Sequence, residues 1–276
     1  MNKDLFIQAR LVVLRQLHRK LRADLRAVTM SRSAEAIHHA RVDARRLRVI
    51  IKMLRKECQP LLAATLVFDL RNLSRTLAPV READVRRQHV ESLLSGTKNS
   101  GNDAMRLLTG LRHDQAQARR ALQRHMHTRT WRARMKRIAA CFADDDLLAA
   151  PRSGESFTLE HAALKHRMKR MQQMINNQSG HEGIHVLRIE VKRVRYLYEF
   201  LRELDRTLPA APLSHLEKWQ SVLGKLHDEL GINGWLAAAD IAPSLSKRLR
   251  TALHKSVKTS DRQFGKLRKT PPSLPQ

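Results

Sequence analysis

Between Ile37 and Arg55 the apolar residues and the cations both keep the spacing of an α-helix, and they keep it on different faces. His38, Arg41, Arg45, Arg48, Lys52 and Arg55 follow one another at steps of 3, 4, 3, 4 and 3, which places all six on one side of a helix. Val42, Leu47, Ile50, Ile51 and Leu54 fall elsewhere on the turn. A strand alternates with a period of two and cannot sort residues in this way. This stretch therefore reads as a helix with one greasy face and one cationic face.

The same periodicity runs through the rest of the chain. Residues 4–28 read as a first helix, with Leu5, Val12, Leu17, Leu21, Leu25 and Val28 apolar and with Arg15, Arg19, Arg22 and Arg26 at steps of 4, 3 and 4. Residues 29–33 read as a turn, and the helix from Ala34 extends to about Cys58, ended by Pro60. Further helices are expected over about 61–77, 81–94, 104–142 (broken near Thr128–Thr130), 158–177, 184–206, 214–230, 232–240 and 244–264. The 104–142 segment carries His113, Gln117, Arg120, Arg124 and His127 at steps of 4, 3, 4 and 3. Pro79, and Pro209 with Pro212, read as breaks, residues 95–103 as a loop and 178–183 as a turn. No segment alternates like a strand. Glycine (10) and proline (9) are scarce and aromatics make up only 4% of residues, so the expected fold class is all-α.

Residues 37–48 recur at 184–195, an offset of 147. Ile37 meets Ile184, His38 meets His185, Arg41 meets Arg188 and Val42 meets Ile189. Asp43 meets Glu190, Arg45 meets Lys192, Arg46 meets Arg193, Leu47 meets Val194 and Arg48 meets Arg195. A weaker echo pairs Leu77, Val80 and Glu82 with Leu223, Leu226 and Asp228. An offset near half the chain implies internal duplication of one helical unit. The expected architecture is two four-helix-bundle-like halves related by pseudo-two-fold symmetry. The boundary falls in residues 144–156, where three acids precede Pro151, Gly154 and two serines. The first half covers 1–145, the second 157–265, and 266–276 form a flexible tail.

Lysine and arginine number 53 against 26 acids, a formal charge of +27. Such a chain attracts polyanions: nucleic acid, an anionic membrane surface or a phosphate polymer. The longest nearly apolar run, Leu61–Phe68, is far too short to span a membrane. The N-terminus lacks a signal peptide's apolar core, and Cys58 and Cys141 form neither a metal-type pair nor a disulfide framework, so a reduced cytoplasm is expected.

A basic helix face is commonly just a wet one, but wet faces mix signs because Glu–Lys neighbours stabilise a helix. Here Arg41/Arg45, Arg45/Arg48, Arg48/Lys52 and Lys52/Arg55 are like-charged neighbours, and Asp43 is the one nearby acid. Each such pair costs roughly 0.2–0.5 kcal/mol, an expense that an anion bound to the native state offsets. From His38 to Arg55 the face extends for about 26 Å at 1.5 Å per residue, a track for an extended polyanion rather than for one small phosphate. Arginine suits it, because the planar guanidinium grips phosphate oxygens in pairs.

His38 and His185 have three readings: support of a helix start, donation to a phosphate, or metal ligation. The last lacks a second ligand at i+4. No P-loop, HExxH or GxSxG motif is present. Asp144–Asp146 could suggest magnesium but read as a helix end, and Asp84 and Asp228 read as groups that orient an arginine or cap a helix. No cofactor, metal site or catalytic residue is assigned.

The run His38-His-Ala-Arg41-Val42-Asp-Ala-Arg45-Arg46-Leu47-Arg48, with its partner His185-Val-Leu-Arg188-Ile189-Glu-Val-Lys192-Arg193-Val194-Arg195-Tyr196, resembles the paired motifs of the CHAD family, the conserved histidine α-helical domain. Leu223-Gly224 and Asp228 fit the family's later elements directly; Leu77-Ala78 and Arg81-Glu82 depart from them in the bundle-end turn. The resemblance spans about residues 5–265. It implies two four-helix bundles and a basic surface or central groove that binds inorganic polyphosphate without catalysis, in some members at polyphosphate granules. On that reading the polyphosphate-binding residues are His38, Arg41, Arg45, Arg46, Arg48, Lys52, Arg55, His185, Arg188, Lys192, Arg193 and Arg195, with Arg15, Arg19, Arg22, Arg120 and Arg124 flanking them. The alternatives are a nucleic-acid-binding helical protein, for which the aromatics are few and scattered, and a metal-dependent phosphohydrolase. Oligomeric state is not legible.

Overall fold

The structure, a computed structural model, describes residues 3–31, 33–95, 101–148, 157–176 and 180–273. Its helices are α1 (Lys3–Ser31), α2 (Ala34–Met53), α3 (Pro60–Thr76), α4 (Ala78–Ser95), α5 (Asn102–Met126), α6 (Arg129–Ala143), α7 (Thr158–Asn176), α8 (Gly180–Leu204), α9 (Ala211–Ala238) and α10 (Pro243–Arg268), with 3-10 turns at Leu54–Lys56 and Asp145–Leu147. Among the described residues there is no strand; Cys58 and Leu148 form an isolated antiparallel bridge. The all-α class read from the sequence is the class observed. No helix of the described residues is long and apolar enough to cross a membrane.

Local chemistry sets the helix ends. The Ser33 hydroxyl accepts from the Glu35 and Ala36 amides and starts α2. Thr128 separates α5 from α6, donating its hydroxyl to the His125 carbonyl (2.7 Å) and accepting from the Trp131 amide (3.2 Å), close to the expected break. Prolines act as starters more than as stops: Pro60 and Pro243 stand in the first positions of α3 and α10, where the missing N–H leaves no bond unmade. The turn expected over 29–33 is shorter, because α1 continues to Ser31; residue 32 lies outside the described residues. So do 96–100 of the expected loop, 149–156 of the expected boundary, 177–179 and 274–276.

The expected pair of helices at 214–230 and 232–240 is instead the single helix α9. Leu216, Trp219, Leu223, Leu226, Glu229, Ile232 and Leu236 are its buried residues, an unbroken helical series that crosses Gly231. Burial of that face outweighs the roughly 1 kcal/mol that a mid-helix glycine costs.

The helices sort into two compact units. The first contains residues 1–81, 119–167 and 193–210; the second contains 82–118, 168–192 and 211–276. Each unit thus draws segments from both sides of residues 144–156. In the first unit α1 packs on α2, α2 on α3, α3 on α6 and α6 on α1, a closed ring of four helices. Leu14, Leu21, Ile37, Leu47, Ile50, Ile51, Leu66 and Phe142 lie inside, each 2% exposed or less. Buried ion pairs accompany this core. The Arg10 guanidinium grips Glu160 with two bonds (2.6 and 3.0 Å), and Asp69, fully buried, accepts from Arg137 (2.8 and 2.9 Å) and lies 3.6 Å from Arg134. In the second unit α4, α5, α9 and α10 share a core of Val90, Leu94, Leu111, Ile232, Leu236, Leu245, Leu249 and Leu253. Trp219 meets Phe264 edge to face at 5.9 Å.

Two predictions follow from this packing. Gly231 is helical and a β-carbon there would meet nothing within 4 Å, so Gly231→Ala should raise unfolding free energy by about 0.5–1 kcal/mol, read by urea denaturation. His18 of α1 is 7% exposed and stacks on Phe142; burial, and secondarily Arg22, hold its pKa down at about 4. Unfolding restores the ordinary value of 6.5, so the unfolded chain binds the extra proton between those values. His18 therefore contributes stability in full above pH 6.5 that is lost progressively as pH falls towards 4, up to about 3 kcal/mol. Denaturation of wild type and His18→Phe across pH 7 to 4 should show the acid-sensitive component disappear in the variant.

Candidate functional site

The two basic motifs sit in their helices in the same way. Over 37–48 and 184–195 the burial of corresponding residues agrees at every position but the first, where Ile37 is buried and Ile184 half-buried. Ala40 and Leu187, Ala44 and Val191, and Leu47 and Val194 face inward; His38 and His185 are exposed; Arg41, Arg45, Arg48 and their counterparts Arg188, Lys192, Arg195 are half-buried. The acids Asp43 and Glu190 are both buried, at 2% and 1% exposure. Asp43 points to α1, not to the cationic face. Burial raises its pKa, opposed by Lys20 and Arg46 and reinforced by the charge of Asp24 and a carboxyl–carboxyl hydrogen bond to it. The one acid of the first motif is thus turned away from the stripe.

The stripe on α2 is where cations gather. Burial lowers the pKa of Arg48, and the charges acting on it, Arg45, Arg71, Arg193 and Arg75, all lower it further. Lys52 is likewise lowered by burial and then by Arg48, Arg193, Arg71 and Arg167. The strongest charges acting on both groups are all cationic. All seven side chains belong to the first unit: Arg45, Arg48 and Lys52 from α2, Arg71 and Arg75 from α3, Arg167 from α7 and Arg193 from α8. Arg45, Arg48 and Arg193 are half-buried, Lys52, Arg71 and Arg75 exposed. Helix α3 was read from the sequence only as a short apolar helix, and Arg71, Arg75 and Arg167 were missed. The readable signal was Arg71 and Arg75 one turn apart in a helix end without an acid after Asp69.

Other arginines of the expected site hold the fold's own acceptors. Arg46 and Arg195 both pair with Glu199, the latter at 2.9 Å. Both also lie beside the Tyr196 ring, at 5.8 and 5.2 Å from its centroid. Arg15 donates to the Phe142 and Ala143 carbonyls (2.9 and 3.4 Å) and to Asp145 (2.6 Å), closing the C-terminal end of α6. Arg41 donates to the Ser74 carbonyl at the end of α3 (2.9 Å). Arg19, Arg22, Arg55, Arg120 and Arg124 are exposed; Arg22 stands at the rim of a separate cavity, described below.

In the second unit the motif's histidine has company. His185 lies over His227, ring centroids 5.0 Å apart, and His227 Nδ1 is 3.2 Å from Asp228, which is 3.9 Å from Arg188. Burial pushes Asp228 up, but the His227 hydrogen bond together with the charges of Arg188, His227 and His89 outweighs it and leaves the carboxyl below its ordinary pKa. Asp228 thus orients Arg188, one of the two roles expected of it. Among the described residues no group of three or more His, Cys, Asp or Glu is arranged to hold a metal ion. Of the acidic run, Asp144 caps the following 3-10 turn by accepting from the Asp146 amide (2.9 Å) and Asp145 pairs with Arg15.

A half-buried arginine whose strongest charged neighbours are cations destabilises the protein unless an anion joins them. Arg48→Met keeps the stem's packing and removes four like-charge contacts, each worth some tenths of a kcal/mol. It should raise the melting temperature of the ligand-free protein by roughly 2 °C or more, measured by calorimetry at low salt, with the gain shrinking at high salt.

The family model described as "CHAD domain" matches residues 12–237. The structure is similar to the crystal structure of the CHAD domain from the plant Ricinus communis, with 20% identity, a TM-score of 0.72, and coverage of 98% of this chain and 94% of that one. It is also similar to PptA from Streptomyces chartreusis, with 17% identity, a TM-score of 0.75, and coverage of 96% and 99%. No curated protein matches the chain.

Proposed function

The chain belongs to the CHAD domain family, and from that premise we propose that it binds inorganic polyphosphate without catalysis, through the basic helical surface of α2 and its neighbours. The observation that carries the proposal is the environment of Arg48, a half-buried side chain on α2 whose strongest charged neighbours are the guanidinium groups of Arg45, Arg71, Arg193 and Arg75. A linear polymer with a charge on every unit answers such a surface better than a single phosphate, because several cations along α2 can be neutralised by one ligand. Arg45, Arg48, Lys52, Arg71, Arg75, Arg167 and Arg193 would grip the phosphates in the first unit. His185, Arg188 and Lys192 would do so in the second. The protein would act in the cytoplasm, at polyphosphate granules, as a localising or regulatory factor rather than an enzyme.

The aromatic residues favour polyphosphate over single-stranded nucleic acid. Base stacking along a strand needs several exposed rings, whereas Trp131, Trp219, Tyr196 and Tyr198 are at most 6% exposed and Trp235 is half-buried; among the described Phe, Trp and Tyr residues Phe68 alone is exposed.

Binding of long-chain polyphosphate should weaken steeply with salt, as expected when many phosphates are neutralised together. The triple substitution Arg45→Glu, Arg48→Glu, Lys52→Glu should abolish it with the helical circular dichroism intact; unchanged affinity would refute the assignment. Duplex DNA or RNA displacing polyphosphate easily at matched phosphate concentration would favour the nucleic-acid reading. Phosphate release dependent on Mg²⁺ or Mn²⁺ would make the protein an enzyme.

A further inference from the structure

The first unit contains a cavity of about 380 Å³ that does not belong to the cationic stripe of α2. It opens along the seam between α1 and α6. One end of that seam is closed by Arg15 on the α6 carbonyls and by His18 stacked on Phe142. Towards the C-terminal end of α1 the two helices part. The walls there are Leu21 and Leu25 of α1, Leu73 of α3 and Trp131, Met135 and Ile138 of α6. His18, Thr29, Met126 and Ala139 also line it, and at its mouth stand Arg22 and Arg26, one turn apart on α1, and Lys136 on α6, all three exposed. No carboxylate lines the cavity.

Its size and walls restrict what can fill it. The cavity is open on one side, and a hydrocarbon seated against its apolar walls is removed from water. The volume here falls within the range of small-molecule sites, which are likewise mostly apolar with a few placed polar groups. The aliphatic and indole walls favour a hydrocarbon, and the methionine side chain can adapt its shape to one. Two guanidinium groups and an ammonium at the mouth favour an anion, with arginine able to hold a carboxylate or phosphate through paired hydrogen bonds. Polyphosphate has no apolar part and gains nothing from these walls.

We infer that the seam between α1 and α6 is a binding site for a free single-chain amphiphile, its hydrocarbon tail among Leu21, Leu25, Leu73, Trp131 and Ile138 and its anionic head held by Arg22, Arg26 and Lys136. The site is separate from the polyphosphate surface and does not rest on that reading. It also gives Arg22 a role that its place in the α1 arginine series does not reveal.

Isothermal titration of the full chain with decanoate and with decyl phosphate, below their micelle concentrations, tests the inference. Decan-1-ol supplies the tail without the charge and inorganic phosphate the charge without the tail. Each anionic amphiphile, or the one whose head suits the site, should bind at least about tenfold more tightly than decan-1-ol and than inorganic phosphate. Tighter decanoate identifies a carboxylate head, tighter decyl phosphate a phosphate head. The surface double variant Arg26→Gln, Lys136→Gln should weaken binding about tenfold, and Ala139→Phe, which fills the cavity from α6, should abolish it. Both should leave polyphosphate affinity within about twofold. Equal binding of decan-1-ol and the anions, no binding of either anion, or full affinity in the folded Ala139→Phe protein would overturn the site. So would competitive displacement of the amphiphile by polyphosphate, which would make the cations at the mouth part of the polyanion surface.

Discussion

Repulsion exerted on Arg48 and Lys52 by Arg45, Arg71, Arg75, Arg167 and Arg193 is the constraint the first unit has to withstand. What withstands it is the other side of α2. Ile37, Ala40, Ala44, Leu47, Ile50 and Ile51 are almost wholly buried against α1 and α3, and fully burying one Leu or Ile side chain contributes roughly 1.5–3 kcal/mol. A few such residues outweigh several like-charge contacts at a few tenths of a kcal/mol each. The cations are tolerated because they ride on a helix fixed from behind. A helix held only by its own propensity would fray under the same load.

The placement of the acids completes this arrangement. Asp43, Asp69, Asp84, Glu160, Glu190 and Glu229 are all buried. Four of them have partners inside the fold or at its edge: Arg10 for Glu160, Arg134 and Arg137 for Asp69, Gln115 for Asp84 and Ser256 for Glu229. Carboxylates that could have neutralised surface cations instead fix helices to one another. Buried pairs of this kind lend little net stability, yet leaving either partner alone is strongly unfavourable. Their geometric effect is therefore the larger one. They set helix positions and withhold negative charge from the outer face of α2.

The helical character of the chain was legible because a core-facing helix must repeat its apolar residues every three or four positions, and Leu47, Ile50, Ile51 and Leu54 do so and are buried. The break at Thr128 was legible for a local reason, its hydroxyl competing with the helix for backbone partners. The continuity of α9 was not, because glycine counts against a helix locally while the packing that overrides it depends on α10. The site was legible only along single helices. Arg45, Arg48 and Lys52 share one face of one helix and could be read together. Arg71, Arg75, Arg167 and Arg193 join them from three other helices, and no spacing rule spans such separations. For the same reason Arg46 and Arg195 could not be told from their neighbours until Glu199 appeared beside them.

The matched burial of residues 37–48 and 184–195 has a consequence for how this molecule can be interrogated. Arg45 and Lys192 occupy equivalent local settings, as do Arg41 and Arg188, while their surroundings differ: arginines converge on α2, and His227 and Asp228 stand beside the second motif. A substitution at one motif therefore has a built-in control at the other. The position in the motif and the degree of burial of the altered residue match, while the side chains around it differ. Paired variants thus compare one motif position, at one degree of burial, in two surroundings within a single chain.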